Sequence, residues 1–313
     1  MYRLGIDLGG TNIVAGVVDE EYKIVARATC KTAVPRPESE ICDSMAEVAL
    51  KAVEKAKITM DDIESIGIGV PGAVNPKTGV IEYSANLFFH NWEVVKMMQE
   101  RLNTKVLIEN DANAAALGEY LAGSAKGAKN AIAITLGTGV GGGIIINGHV
   151  IEGAHGAGGE IGHAHVEDSI TDVCGCGNSG CLEQVASATG IARLAREELA
   201  AKDPSEASVL ENEKDLDARA VFNAYKAGDA VAARIVNKFA KYLGTTLSVF
   251  ATVADPEVIV IGGGVSKAGD ALTDIVSRYY KKNAFPACAD TPIVLAQLGN
   301  DAGIYGAARL VLD

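Results

Sequence analysis

Twice in this chain a run of apolar, strand-forming residues enters a glycine-rich turn and leaves it again as strand. The first copy is Ile6-Asp7-Leu8-Gly9-Gly10-Thr11-Asn12, fed by Tyr2 to Leu8 and continued by Ile13 to Val18. The second is Ile134-Thr135-Leu136-Gly137-Thr138-Gly139-Val140, continued by Gly141 to Ile146. A scheme repeated in this way points to two related domains, each opening with a hairpin. The chain has 313 residues, and a single hydrophobic core stops growing near ~250–300, so two domains are expected on size as well. Between the copies the pattern alternates. Glu38 to Lys57 has helical spacing with Ile41, Met45, Val48, Ala49 and Ala52 on one face, Ser65 to Val70 and Val106 to Glu109 read as strands, and Ala112 to Leu121 reads as helix. Alternating strands and helices predict an α/β class with mostly parallel sheets. The polar stretch Gly123 to Asn130 marks the expected boundary between domains over 1–123 and 124–300. Asp301 to Leu312 reads as a last helix.

Glycine at a strand end lets backbone N–H groups approach a phosphate without interference from a Cβ. Gly9, Gly10, Thr11 and Asn12 form one such turn, with Asp7 placed to hold Mg²⁺ through water, although an ordinary hairpin turn also favours Asn and Gly. Gly137, Thr138 and Gly139 form another. This second turn matches G-x-G-x-x-G, but a dinucleotide site requires a helix directly after the glycines. Ile144-Ile145-Ile146 favours strand, which excludes that reading. A third glycine turn, Gly262-Gly263-Gly264, ends the apolar run Val258 to Ile261, where an α/β sheet binds ligands. A tight strand–helix connection would use the same residues. Asp111, in Glu109-Asn110-Asp111-Ala112-Asn113, sits at a strand–helix junction. It suits either a helix cap or a general base toward a hydroxyl.

Three of the six cysteines fall within eight residues, and His163, Cys174, Cys176 and Cys181 give H-x₁₀-C-x-C-x₄-C in a glycine-rich polar loop. That set supplies the four N/S donors of a structural zinc site, with His155 and His165 as alternatives to His163. Such clustering suits a reducing compartment better than a disulfide framework. The formal net charge is -12, and no Lys/Arg cluster suggests a nucleic-acid face. No run of 18 uncharged apolar residues and no basic-then-apolar leader occurs, so a cytoplasmic chain that makes no membrane contact is expected.

In this order the motifs resemble those of the ROK sugar kinases, over essentially the whole chain from Asp7 to Asp301-Ala302-Gly303. The most specific piece, Gly159-Glu160-Ile161-Gly162-His163 followed by the Cys174–Cys181 loop and Leu182-Glu183, is similar to the bacterial glucokinase branch. The resemblance implies the actin-like ATPase (ribonuclease H-like) fold, with two α/β domains around a cleft and the 301–313 segment returning to the smaller first one. It implies ATP with Mg²⁺ and a structural Zn²⁺ as cofactors. Asp111 would be the catalytic base on the sugar 6-hydroxyl. Asn86, Asn110, Glu160, His163 and Glu183 would bind the sugar, and His163 would also ligate zinc. Asp7, Gly9 to Asn12, Gly137 to Gly139 and Gly262 to Gly264 would line the ATP site. Family members are commonly homodimers or homotetramers. The family also holds repressors with an N-terminal helix-turn-helix, for which a motif starting at Asp7 leaves no room. Other hexose kinases of the family, a non-catalytic sugar sensor and a zinc hydrolase are the competing functions. Four N/S ligands leave a hydrolase no open metal position.

Overall fold

The computed structural model describes residues 1–84 and 87–310. By contact these form two compact units, one of residues 1–127, 143–159 and the segment from 298 onward, the other of 128–142 and 160–297.

The first unit opens with β1 (Tyr2–Leu8), β2 (Asn12–Val18) and β3 (Ile24–Lys31), then α1 (Glu38–Ala56) and β4 (Ile63–Val70). A small antiparallel sheet follows, β5 (Ala73–Asn75), β6 (Val80–Ser84) and β7 (Phe89–Trp92). After it come α2 (Val94–Leu102), β8 (Val106–Asn110) and α3 (Asp111–Ala122). The main sheet has the order β3-β2-β1-β4-β8, with β1, β4 and β8 parallel and β2 and β3 antiparallel. The face of α1 read from the sequence is the face that is buried, with Ile41, Met45, Ala49 and Ala52 all fully covered. Removing a side chain such as Ile41 or Met45 from water contributes roughly 1.5–3 kcal/mol.

The second unit takes in β9 (Ala131–Leu136) and the start of β10 (Val140–Ile146), which pairs with the short β11 (His149–Val150). Its helices begin with α4 (Glu183–Ala186), α5 (Ala188–Ala201), α6 (Ala218–Lys226) and α7 (Ala230–Ala254). The chain then runs through β12 (Val258–Gly262), α8 (Asp270–Asn283) and β13 (Ile293–Leu295). The sheet order is β11-β10-β9-β12-β13, with β9, β12 and β13 parallel. The long α7 is the spine of the unit. Its Phe239, Leu243 and Leu247 are fully buried, and Phe239 meets Phe222 of α6 edge-on at 6.0 Å between ring centres. No described helix is long and apolar enough to cross a membrane.

The last helix, α9 (Ala302–Arg309), lies against β1, β4 and α3 in the first unit. Glycines on both sides permit that approach, Gly67 and Gly306 most tightly. A Cβ on Gly67 would stand 1.8 Å from the Ala307 carbonyl oxygen, and one on Gly306 1.6 Å from that of Ala114. The grouping differs from the sequence expectation at 143–159, which was placed in the second domain. Gly143 and Gly148 bring that stretch onto α3, since a Cβ on either would meet Ala116 Cβ at 2.5 Å or the Tyr120 hydroxyl at 2.9 Å.

Candidate active site and metal cluster

In the first unit three neighbouring parallel strands end at the same level. Asp7 of β1 lies opposite Gly69 of β4, which lies opposite Glu109 of β8, and Val70 lies opposite Asn110. Asp7, Asn110 and Asp111 therefore share the carboxyl edge of the sheet, the edge where α/β proteins place ligands. The β1–β2 turn is closed by Gly9 N–H donating to Asn12 O at 2.9 Å. It is held from β3's end by Thr32, fully buried, whose hydroxyl donates to Gly9 O at 2.5 Å and whose N–H donates to Thr11 O at 3.0 Å. Nothing in the sequence marked Thr32, because a lone Thr after a strand carries no signal of its own.

Burial lifts the Asp7 carboxyl from its ordinary 3.8 to about 6, and the Gly303 backbone closes one side of it. A carboxylate held this way suits a hydrated cation. The raised value also has a stability consequence. A carboxyl whose folded pKa lies above the unfolded one destabilises the fold as pH rises from about 4 through 6, and fully so at pH 7. Asp7→Asn should therefore raise the stability of the ligand-free protein at pH 7 by up to ~3 kcal/mol, with no gain at pH 3.5. Denaturant melts at the two pH values check this, and equal ΔΔG at both would refute it.

The cap of α3 is Asn110, not Asp111. Asn110 Oδ1 accepts from Ala112 N–H at 2.9 Å and Asn113 N–H at 3.2 Å, and Asn110 Nδ2 donates to Gly72 O at 3.0 Å. Asp111 is the first helical residue, exposed, with Oδ1 accepting from Ala112 N–H at 2.9 Å. The capping role weighed for Asp111 thus falls to its neighbour. The sugar contact expected at Asn86 lies outside the described residues.

In the second unit, β9 and β12 are parallel neighbours, with Thr135 opposite Gly262, and both end in glycine turns. The two turns touch. Gly263 has φ +82°, and a Cβ there would stand 2.5 Å from Leu136 O. The turn after β9 leads into a strand, as the isoleucines require. Glu183, at the start of α4, accepts from Val140 N–H at 3.1 Å through Oε2. A side chain on Gly139 would displace that oxygen, its Cβ coming within 2.1 Å.

His163, Cys174, Cys176 and Cys181 do converge, their donor atoms all within 4.8 Å of one another. His163 Nδ1 lies 3.6 Å from Cys174 Sγ, and Cys176 Sγ lies 3.6 Å from Cys181 Sγ. A tetrahedral zinc with Zn–S of about 2.3 Å and Zn–N of about 2.0 Å would set these separations near ~3.5–3.8 Å, so the donor set fits it. Burial pushes the Cys174 thiol up to about 12, so a metal must displace its proton. The other ring nitrogen of His163, Nε2, faces Glu160 Oε2 at 3.7 Å. One imidazole thus serves the cluster with one nitrogen and Glu160 with the other. Of the alternatives, His165 is turned to Ser179 O at 2.9 Å and Asp168 at 2.8 Å, and His155 stands exposed outside the cluster. Two residues unmarked in the sequence hold the loop: Gln184 bridges Cys181 N–H (3.1 Å) to Asp172 O (2.9 Å), and the Tyr242 hydroxyl donates to Glu167.

The first unit gathers carboxylates at the ends of adjoining parallel strands, and the second pairs two glycine turns and carries four N/S donors able to hold a metal, the features of an α/β protein with a ligand edge on each sheet. The chain belongs to the ROK family, whose model matches residues 3–313. It is 40% identical to a glucokinase of Halalkalibacterium halodurans, over 99% of this chain and 94% of that one. It is similar to a solved ROK family glucokinase from Streptomyces griseus in complex with glucose and AMPPNP (34% identity, TM-score 0.80, 99% of each chain). A ROK hexokinase from Thermus thermophilus matches at 32% identity and TM-score 0.82, over 98% of this chain and 97% of that one. The architecture is the actin-like ATPase (ribonuclease H-like) fold expected from the sequence.

Proposed function

We propose that this protein transfers the γ-phosphoryl group of ATP to the 6-hydroxyl of glucose. The observation that carries the reading is the shared strand edge of Asp7, Asn110 and Asp111, in a chain whose family relatives include glucokinases over their full length. Asp111 accepts the proton of the hydroxyl as it attacks phosphorus, and ADP leaves in line. Asn110, Glu160, His163 and Glu183 hydrogen-bond the sugar, with Asn86 as a further contact. Gly9 to Asn12, Gly137 to Gly139 and Gly262 to Gly264 receive the nucleotide. Asp7 would hold Mg²⁺, which would supply neutralisation of phosphate charge. His163, Cys174, Cys176 and Cys181 would hold a structural zinc, which would fix the His163 ring and the start of α4, where Glu183 sits. A soluble cytoplasmic homodimer or homotetramer that binds neither nucleic acid nor membrane completes the reading.

A site built to bond a hydroxyl rejects an analogue lacking it more strongly than it rejects added bulk. Removing the 3- or 4-hydroxyl of glucose should therefore lower kcat/KM more than changes at the 2-position. The deciding experiment is kcat/KM for glucose, mannose, fructose, allose, N-acetylglucosamine and N-acetylmannosamine under identical ATP and Mg²⁺, with ADP release coupled to a visible readout. Glucose should rank first. A higher value for any of the other five overturns the glucose assignment and leaves the hexose kinase standing.

A further inference from the structure

The turn between β9 and β10 has one backbone bond of its own, from Gly137 N–H to Gly139 O, and is otherwise held from outside. Three of its backbone polar groups are tied to one short stretch that follows directly on Cys181. Ala188 N–H donates to Gly137 O at 2.8 Å, the Thr189 hydroxyl donates to Thr138 O at 2.8 Å, and Val140 N–H donates to Glu183 Oε2 at 3.1 Å. Behind Thr189 stands Ser187, fully buried, its Oγ 2.8 Å from Thr189 Oγ1. The direction of this chain is determined. Thr189 spends its one proton on Thr138 O, so Ser187 donates to Thr189, while Ser187 Oγ accepts from Gly190 N–H at 3.0 Å as the cap of α5.

In a trans peptide the C=O of one residue and the N–H of the next lie in one plane and point oppositely. Pinning Gly137 O toward α5 aims the Thr138 N–H away from it, and pinning Thr138 O does the same for the Gly139 N–H. Gly137 N–H is used within the turn, donating to Gly139 O at 3.0 Å, and Val140 N–H is used by Glu183. Among the described residues the N–H groups of Thr138 and Gly139 have no hydrogen-bond partner. Two adjacent N–H groups turned the same way form an anion-binding concavity.

We propose that Thr189 is a positioning residue for the nucleotide. By holding Thr138 O, it orients the Gly139 N–H, which with the Thr138 N–H receives a phosphate oxygen of ATP. The proposal rests on the reading of Gly137 to Gly139 as a nucleotide turn. Thr189 is itself exposed, so its contribution is the hydroxyl and not buried bulk. Glu183, with Oε2 on this turn and Oε1 3.4 Å from Cys174 Sγ, joins the same stretch to the cysteine loop.

Thr189→Val removes the hydroxyl and keeps the shape, while Thr189→Ser restores the hydroxyl. One hydrogen bond of this kind is worth roughly a three- to tenfold change in an equilibrium constant. Thr189→Val should weaken AMPPNP binding by that factor and raise KM for ATP equally, leave KM for the sugar unaltered, and speed amide exchange in peptides covering 137–142. Thr189→Ser should match wild type in all three. Unchanged exchange at 137–142 in Thr189→Val overturns the positioning role. Wild-type nucleotide affinity in that variant overturns the inference too, provided AMPPNP protects 137–142 in the wild-type protein. If AMPPNP gives no protection there even in wild type, the nucleotide-turn reading itself fails, and the inference with it.

Discussion

Asp111→Asn should leave a folded protein whose kcat is lower by about 10²–10⁴-fold, the usual loss when a general base is removed. KM for ATP should stay within about twofold, because the carboxylate acts on the acceptor hydroxyl. The geometry makes this a clean substitution. The cap of α3 is supplied by Asn110, and an Asn at 111 keeps a side-chain oxygen for the Ala112 N–H that Asp111 Oδ1 shares with Asn110 Oδ1. The charge that the substitution removes from the first turn of the helix is worth about 0.3–1 kcal/mol through the helix dipole. Asn110→Ala is the contrasting variant. It loses the cap and the bond to Gly72 O together, and should cost about 1–2 kcal/mol of stability. A melting point near wild type with kcat almost gone at 111, against a lowered melting point at 110, separates chemistry from scaffold. An Asp111→Asn enzyme keeping more than half the wild-type kcat removes the base assignment.

The parts of this protein legible in the sequence are those set by local backbone chemistry. Glycine turns between β-branched runs defined the hairpins of β1–β2 and β9–β10, because isoleucines after Gly139 could only continue as strand. H-x₁₀-C-x-C-x₄-C anticipated the convergence of four N/S donors, since three thiols and an imidazole spaced this way have few other uses. Illegible were the pieces set by tertiary proximity. Asn110 and Asp111 are equally good caps on paper, and only the backbone at the end of β8 shows that Asn110 turns back over the helix. The 143–159 stretch looks like a continuation of the second hairpin until Gly143 and Gly148 meet α3. Thr32, Gln184 and Thr189 are ordinary polar residues far in sequence from, or merely near, the groups they hold. Their partners are backbone atoms, which carry no side-chain signature at all.

Loss of the metal should be the other large effect. Purified protein should carry one zinc per chain, and Cys176→Ala should carry none, since three remaining donors leave the tetrahedron open. Metal removal would leave the thiols of Cys174 and Cys181, both raised by burial, to regain their protons around a histidine that no longer has a fixed orientation. The loop also carries the His165–Cys181 bridge and the Leu182 N–H to Ala164 O bond at 2.8 Å, which set where α4 begins. Freed of its metal, the loop should hold His163 toward Glu160 and Glu183 toward Val140 less firmly, so sugar affinity should fall, by about 10–100-fold if the loss matches that in metal affinity or activity when partners orienting metal ligands are removed. The core of the second unit is built mainly around α7, so the unit should stay folded, at reduced stability. A destabilisation of roughly 3 kcal/mol would lower the melting temperature by about 6–12 °C in a unit of this size. Elemental analysis, calorimetric titration with glucose and a thermal melt read the three effects on one preparation. An untreated preparation without stoichiometric zinc, or a Cys176→Ala protein that binds glucose as wild type does, would show that the cysteine loop holds its shape by packing alone.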